Sequence, residues 1–176
     1  VSGGKLDLNA GAVKGVKYPS ASKYVARQTG AIRFKYTPNY SGIPTSHRAL
    51  CCIVQAAAGE ANEIFLYHNS AEGKIFLNSY GVGLATIFDG PIGVFLPTAG
   101  TEYEIEYNWD YTTGSSRLFI NGVQLGSTIT GTGTITTFTD IKIGLNYAEN
   151  MTSCGLFDSV ECFDSVQHTA NYTPGY

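Results

Sequence analysis

Thr101-Glu-Tyr-Glu-Ile-Glu-Tyr-Asn-Trp-Asp110, followed by Tyr111-Thr-Thr-Gly114 and Ser115-Ser-Arg-Leu-Phe-Ile-Asn121, is the stretch on which the fold turns. Tyr103, Ile105, Tyr107 and Trp109 alternate with Glu104, Glu106 and Asn108. That is the period of two of a strand with one face toward a core. On the return run Leu118 and Ile120 share the core face and leave Arg117 and Phe119 outside. Asp110 to Gly114 between them is turn chemistry, so the stretch reads as a β-hairpin. Setting Ile105 opposite Leu118 places Glu106 opposite Arg117 and Glu104 opposite Phe119.

The same signals recur outward along the chain. Gly30–Tyr36 alternates, with Ile32, Phe34 and Tyr36 on one face and Arg33 and Lys35 on the other. Ala49–Gln55 is an almost unbroken apolar run, as in a strand buried on both faces. Glu63–Asn69 and Lys74–Tyr80 form a hairpin across residues 70–73. Ile64, Leu66, Ile75 and Leu77 then point inward, while Phe65, Tyr67, Phe76, Asn78 and Tyr80 point outward. Asp140–Leu145 and Leu156–Asp164 add two strands, and the one helix candidate is a short turn over Ala56–Asn62. Strands at hairpin spacing without repeat or linker predict one all-β domain over residues 1–176, an antiparallel two-sheet sandwich or a barrel.

Composition agrees. Only 14% of the 176 residues are charged, against roughly 25% in ordinary domains. Gly (21) and Tyr (12) are abundant, which suits strands and turns and excludes helical bundles. A net charge of -3 offers no basic field for nucleic acid, and no apolar run is long enough to insert in a membrane. The chain opens on Val1 and holds its lone Met at 151, as expected of a piece of something longer. Cys51 and Cys52 must point to opposite faces of a strand, and with Cys154 and Cys162 they leave both disulfides and buried thiols open. The sequons at Asn39, Asn150 and Asn171 are about as many as chance supplies.

Six segments carry a resemblance. Gly30-Ala-Ile-Arg-Phe-Lys-Tyr-Thr-Pro38, the pair Glu106-Tyr-Asn-Trp-Asp110 and Arg117-Leu-Phe-Ile-Asn-Gly-Val123, and the pair Ile141-Lys-Ile-Gly144 and Gly155-Leu-Phe-Asp-Ser-Val160 stand in the order found in concanavalin A-like, laminin G-like jelly rolls. The tail, Asp164-Ser-Val-Gln-His-Thr-Ala-Asn-Tyr-Thr-Pro174, is similar to the close of viral and phage versions. The resemblance implies two curved sheets, with a carbohydrate groove often on the concave face. It implies a calcium ion at Asp158, held with backbone carbonyls from the N-terminal region, as oxygen ligands suit calcium. The other reading of Asp158 is a carboxylate that caps backbone N–H groups. His168 stands where such tails commonly have Arg, which makes it a packing position.

The outer faces mix aromatics with polar groups in a way that suits sugar. An aromatic ring offers its face to pyranose C–H groups, while amides, carboxylates and guanidinium groups bind hydroxyls. Phe65, Tyr67, Phe76, Tyr80 and Phe119 are the candidate platform, with Glu104, Glu106, Asn108, Arg117 and Arg33 as polar partners. Tyr111 is the candidate exposed loop aromatic, and Trp109 is assigned to the core. The competing reading covers this face with the apolar segment Gly81–Pro97. Glu104 and Glu106, roughly 7 Å apart by strand geometry, could serve paired-carboxylate hydrolysis. However, Asn108 or Trp109 stands where the hydrolase motif of this fold has its next acid. A uronate lyase would need a Gln-x-His strand, and His47, His68 and His168 are scattered. Taken together, the sequence predicts a non-catalytic module on a virion or extracellular surface that binds a glycan or cell-surface polysaccharide, with any oligomerisation supplied by its parent protein. The alternatives are a polysaccharide-degrading enzyme and a structural spike or fibre module.

Overall fold

The computed structural model describes residues 6–7, 15–19, 28–55, 62–151 and 153–175. Their strands, numbered in chain order, build two antiparallel sheets. One sheet runs β1 (Leu6–Asp7), β13 (Gly155–Phe163), β3 (Thr29–Pro38), β8 (Tyr103–Asp110), β9 (Ser115–Ile120) and β10 (Val123–Gln124), with β11 (Ile129–Thr130) also paired to β9. The other runs β2 (Val16–Pro19), β12 (Asp140–Ile143), β4 (Arg48–Val54), β5 (Glu63–His68), β6 (Lys74–Tyr80) and β7 (Thr86–Val94). The fold is an all-β sandwich, as the alternation predicts. Among the described residues there is no α-helix, and no helix long and apolar enough to cross a membrane.

Alternation decides which side chains meet between the sheets. Ile32, Phe34 and Tyr36 of β3, Ile105, Tyr107 and Trp109 of β8, and Leu118 of β9 join Ile64 and Leu66 of β5 and Ile75 and Leu77 of β6 in one buried cluster. Each such side chain contributes about 1.5–3 kcal/mol on burial. A bulge between Ala49 and Cys51 lets Leu50 and Cys51 both face this core. The strand resumes its alternation beyond it, so Ala49, Cys52 and Val54 face outward, where they form a second apolar cluster with Phe65. That second cluster explains why the run over residues 49–54 is apolar on both sides. All four cysteines are free thiols, with Cys51 and Cys52 on opposite faces as expected.

Two expectations need correction, and a third falls mostly outside the described residues. β8 pairs Ile105 with Ile120 and Tyr107 with Leu118, so the hairpin register lies two residues from the expected one. The faces survive, because a slip of two preserves them, but Glu106 sits opposite Phe119 and Asn108 opposite Arg117. The segment Gly81–Pro97 does not cover a sheet face. Most of it is edge strand β7, hydrogen-bonded to β6. Of the helix candidate over 56–62, residues 56–61 lie outside the described residues, and Asn62 has a left-handed φ of 52°.

Trp109 is fully buried, as its face requires, and its indole rests on Gly30. A Cβ at Gly30 would stand 2.6 Å from Trp109 Cζ2 and 2.9 Å from the Phe163 carbonyl oxygen. Neither can move freely inside a packed core. Gly30→Val should therefore destabilise the fold by about 1–3 kcal/mol, the usual cost of overpacking, read as a lower urea midpoint with an unchanged slope. A midpoint equal to that of the parent would show that the indole can yield.

Candidate functional site

Because both sheets bury their inner faces in one core, their outer faces look in opposite directions. The candidate residues therefore separate into two groups. Phe65, Tyr67, Phe76 and Tyr80 lie on the outer face of the six-stranded sheet. Glu104, Glu106, Asn108, Arg117 and Phe119 lie on the other sheet. No single groove holds both groups. Tyr111 is not an exposed loop aromatic either. Its ring is 2% exposed, and its hydroxyl accepts from Ser79 Oγ at 2.8 Å and meets the Tyr107 hydroxyl at 3.1 Å.

The outer face of the seven-stranded sheet is closed by the chain's own tail. Glu106, with no exposed surface, is the centre of that closure. Its Oε1 accepts from Asn108 Nδ2 at 2.6 Å and meets His168 Nδ1 at 2.8 Å. Its Oε2 accepts from Arg33 Nε at 2.7 Å and from the Tyr172 hydroxyl at 3.2 Å. The Tyr172 hydroxyl also donates to Glu104 Oε1 at 2.7 Å. The His168 and Tyr172 rings stack at 3.5 Å, and both make edge contacts with Phe119. The tail backbone docks in the same place: Asn108 Oδ1 accepts from Gln167 N–H, and Gly122 O from Tyr172 N–H. Gly122 suits that crossing, with a φ of 75° and a Cβ position 2.0 Å from the Tyr172 carbonyl oxygen. His168 is thus a packing position, as the resemblance implies, with a hydrogen bond to Glu106 added.

Chemically this cluster is closed. Burial raises the Glu106 pKa, but hydrogen bonds from Asn108, His168 and Arg33 and the charge of the guanidinium outweigh it, holding the carboxyl below its ordinary range. Both carboxylate oxygens are already engaged inside the protein. Glu106 therefore presents no free carboxylate oxygen to a glycosidic bond.

Asp158 lies in β13 at an irregularity opposite Lys35, and its Oδ1 accepts from Ser159 N–H at 2.7 Å. Ser159 has a left-handed φ of 50°, so the carboxylate caps a tight local turn. No group of three His, Cys, Asp or Glu able to hold a metal ion occurs among the described residues. Residues 1–5 and 8–14, from which N-terminal carbonyls would come, lie outside them. The geometry that is described fits the capping reading of Asp158, while the calcium reading turns on carbonyls that lie outside the described residues.

The six-stranded sheet carries the open site. Its outer face holds a cleft of about 190 Å³ lined by Glu63, Phe65, Tyr67, Asn78, His47, Asn146, Tyr147 and Met151. Phe65 and Tyr67, two apart on β5, stack at 5.1 Å with 16° between their planes. Phe76 continues the row at 5.4 Å from Tyr67, and His47 meets Tyr67 edge-on at 5.6 Å. Polar groups border the rings. Asn78 Nδ2 donates to Asp89 Oδ1 at 3.1 Å, and Tyr80 donates to Asp89 Oδ2 at 2.9 Å. Glu63, 2% exposed, accepts from Cys52 Sγ at 3.2 Å. The opposite wall is the loop over 146–151. Sequence reading finds Phe65, Tyr67 and Tyr80 by alternation. It misses His47, Asn146, Tyr147 and Met151, which lie in connections where no period assigns a face.

Comparison with known proteins supports the architecture. No family model and no curated protein matches the sequence. Among solved structures, the IT-sialidase CBM40 of Ruminococcus gnavus is similar over 94% of this chain and 92% of its own, with a TM-score of 0.63 and 14% identity. Domain 4 of a GH43 extracellular arabinanase from Geobacillus stearothermophilus, solved with arabinotriose, is similar over 88% of this chain and 68% of its own, with a TM-score of 0.61 and 14% identity. A heptameric SAP-like pentraxin from Limulus polyphemus is similar over 91% and 81%, with a TM-score of 0.58 and 15% identity. At these identities the likeness is one of fold: an antiparallel two-sheet β-sandwich of the jelly-roll type.

The closed cluster makes a testable demand. Glu106→Gln leaves the largely buried Arg33 guanidinium without its closest carboxylate, and should cost about 3–5 kcal/mol, as for other broken buried pairs. The pH dependence has a definite sign. Glu106 titrates lower in the folded chain than its unfolded value of about 4.3, so its stabilisation is complete above that pH. It is lost as pH falls through the lowered folded value. Urea melts of the parent should therefore weaken from pH 5 downward, with a shallower decline in Glu106→Gln. Parallel declines would remove Glu106 from the account.

Proposed function

We propose that this chain is a non-catalytic glycan-binding module whose site is the cleft on the outer face of the six-stranded sheet. The observation that carries the reading is the Phe65–Tyr67–Phe76 row, with Phe65 buried at the base of the cleft and Tyr67 and Phe76 half-buried above it, bordered by the Asn78, His47 and Asn146 side chains. Stacked rings supply a flat apolar platform for the C–H face of a pyranose, and the flanking groups supply directional bonds to hydroxyls. A volume of about 190 Å³ is below the range of drug-sized sites and suits one sugar ring with the remainder of a chain outside. The fold supports the reading, because similar structures include the CBM40 solved with α2,3-sialyllactose and the arabinanase domain solved with arabinotriose. The similarity of the tail to viral and phage closes favours a parent protein displayed on a virion or other extracellular surface.

The site divides the candidate residues by sheet, and so does the test. Tyr67→Ala removes the centre of the platform from a half-buried position, and should cost less stability than the roughly 3–5 kcal/mol of a core aromatic. On a glycan array the folded variant should lose the signal of the parent. Arg117→Ala, half-buried on the opposite sheet, should keep both fold and signal, since substitutions outside the packed core usually change stability by about 0.5 kcal/mol or less. Loss of binding in Arg117→Ala with retention in Tyr67→Ala would move the site to the other sheet.

A further inference from the structure

Lys142 stands on the outer face of β12, opposite Cys52 on β4 and Lys17 on β2, and its side chain is only 3% exposed. A buried ammonium is costly unless it is paired and hydrogen-bonded. Both of its partners belong to the loop beyond β12. Nζ donates to the Tyr147 carbonyl oxygen at 2.6 Å and lies 2.9 Å from Glu149 Oε1. The lysine thus reaches up from the sheet and holds the loop down.

The loop is otherwise folded on itself. Asn146 Oδ1 accepts from the N–H groups of Asn150 and Met151, each at 3.0 Å, and its Nδ2 donates to Asn150 Oδ1 at 2.8 Å. Glu149 has a left-handed φ of 58°, and Ser153 N–H closes the base on Gly144 O at 3.0 Å. Three side chains of this loop, Asn146, Tyr147 and Met151, line the cleft opposite Phe65 and Tyr67. Tyr147 remains 37% exposed, and Met151 packs on the outer apolar cluster.

We infer that the loop Asn146–Met151 is the recognition wall of the cleft, that Lys142 is its positioning residue, and that the cleft takes an uncharged sugar ring. This rests on the glycan-binding reading above and adds the class of sugar to it. A wall fixed from beneath loses little conformational freedom when ligand arrives, and that preserves affinity. The charge pattern selects against anions. Glu63 lines the cleft, and Asp89, Asp140 and Glu149 stand on the same face or its rim. The three lysines described there are already engaged, Lys17 with Asp140 at 3.2 Å, Lys74 with Glu72 at 2.6 Å and Lys142 with the loop. A sialic acid or uronate carboxylate would meet Glu63 or have to displace one of these partners, whereas hydroxyls and ring faces meet no such obstacle.

The experiment uses the full chain on an array that pairs neutral oligosaccharides with sialylated and uronate-bearing counterparts, lactose beside α2,3-sialyllactose among them. Calorimetric titration with the strongest neutral binder then compares the parent with Tyr67→Ala, Tyr147→Ala, Lys142→Met and Lys142→Arg. The expected result is that no anionic counterpart binds more tightly than its neutral partner. Tyr147→Ala and Lys142→Met should each weaken binding by about tenfold or more, with Lys142→Arg recovering to within about threefold of the parent. Amide exchange at Asn150 and Met151 should quicken in Lys142→Met and not in Tyr147→Ala. Should Lys142→Met not fold, Tyr147→Ala and the anion pairs decide. Loss of binding in Tyr67→Ala alone, with the loop variants unaffected, overturns the wall and leaves the cleft reading standing. Tighter binding of an anionic counterpart overturns the uncharged ring. Retention in Tyr67→Ala, or an array with no binder, overturns the glycan reading and this inference together.

Discussion

The two sheets share one apolar interlayer, and everything else about the molecule follows from that sharing. Ile32, Phe34, Ile105, Tyr107 and Leu118 come from one side, and Ile64, Leu66, Ile75 and Leu77 from the other. Neither set can be buried without its partner, since a sheet with an uncovered apolar face is not stable in water. Once the inner faces are committed, strand geometry commits the outer faces to opposite sides. The protein therefore has two separate outer surfaces to cover or to use, and it does one of each.

On the seven-stranded sheet the C-terminal tail completes the structure. A buried carboxylate is tolerable only with its lone pairs filled. Glu106 fills them from β3 (Arg33), from its own strand (Asn108) and from the tail (His168 and Tyr172). The arrangement makes the tail part of the fold, for without it Glu106, Glu104 and Phe119 would stand open to water. It also accounts for two acids that the sequence offers as polar partners on an outer face and that the fold uses as hydrogen-bond and ion-pair partners of its own residues.

On the six-stranded sheet the opposite solution holds. Cys52, Val54 and Phe65 make the outer face apolar near its middle, and the loop after β12 walls off part of it. Lys142 ties that loop to the sheet with its ammonium group. The result is a cleft with aromatic rings on one side and a rigid turn on the other, bordered by acids and amides.

How much of this was legible in the sequence divides along a physical line. Alternation determined the strands, their inward faces, the burial of Trp109, and the outward placement of Phe65, Tyr67 and Tyr80, because a period of two is local and survives any register. It did not determine the pairing of Ile105, since a shift of two residues preserves every face and only the turn and the neighbouring strands choose between registers. Nor could it say that the hairpins 63–80 and 103–120 belong to different sheets. Outward carries no direction until the core is assembled, so residues that shared an outer face on paper stand on opposite sides of the protein. Tyr111 was misplaced for a related reason: it lies in a turn, where no period applies, and only the Ser79 and Tyr107 hydroxyls waiting in the core draw it inward. The loop residues Asn146, Tyr147 and Met151 come to face Phe65 and Tyr67 through contacts no local pattern shows: the turn bonds of Asn146 and the ammonium of Lys142, brought beneath the loop by the sheet. The local periodicity of side chains was written in the sequence. Which surfaces face each other was decided by tertiary packing, because that depends on contacts between residues far apart in the chain.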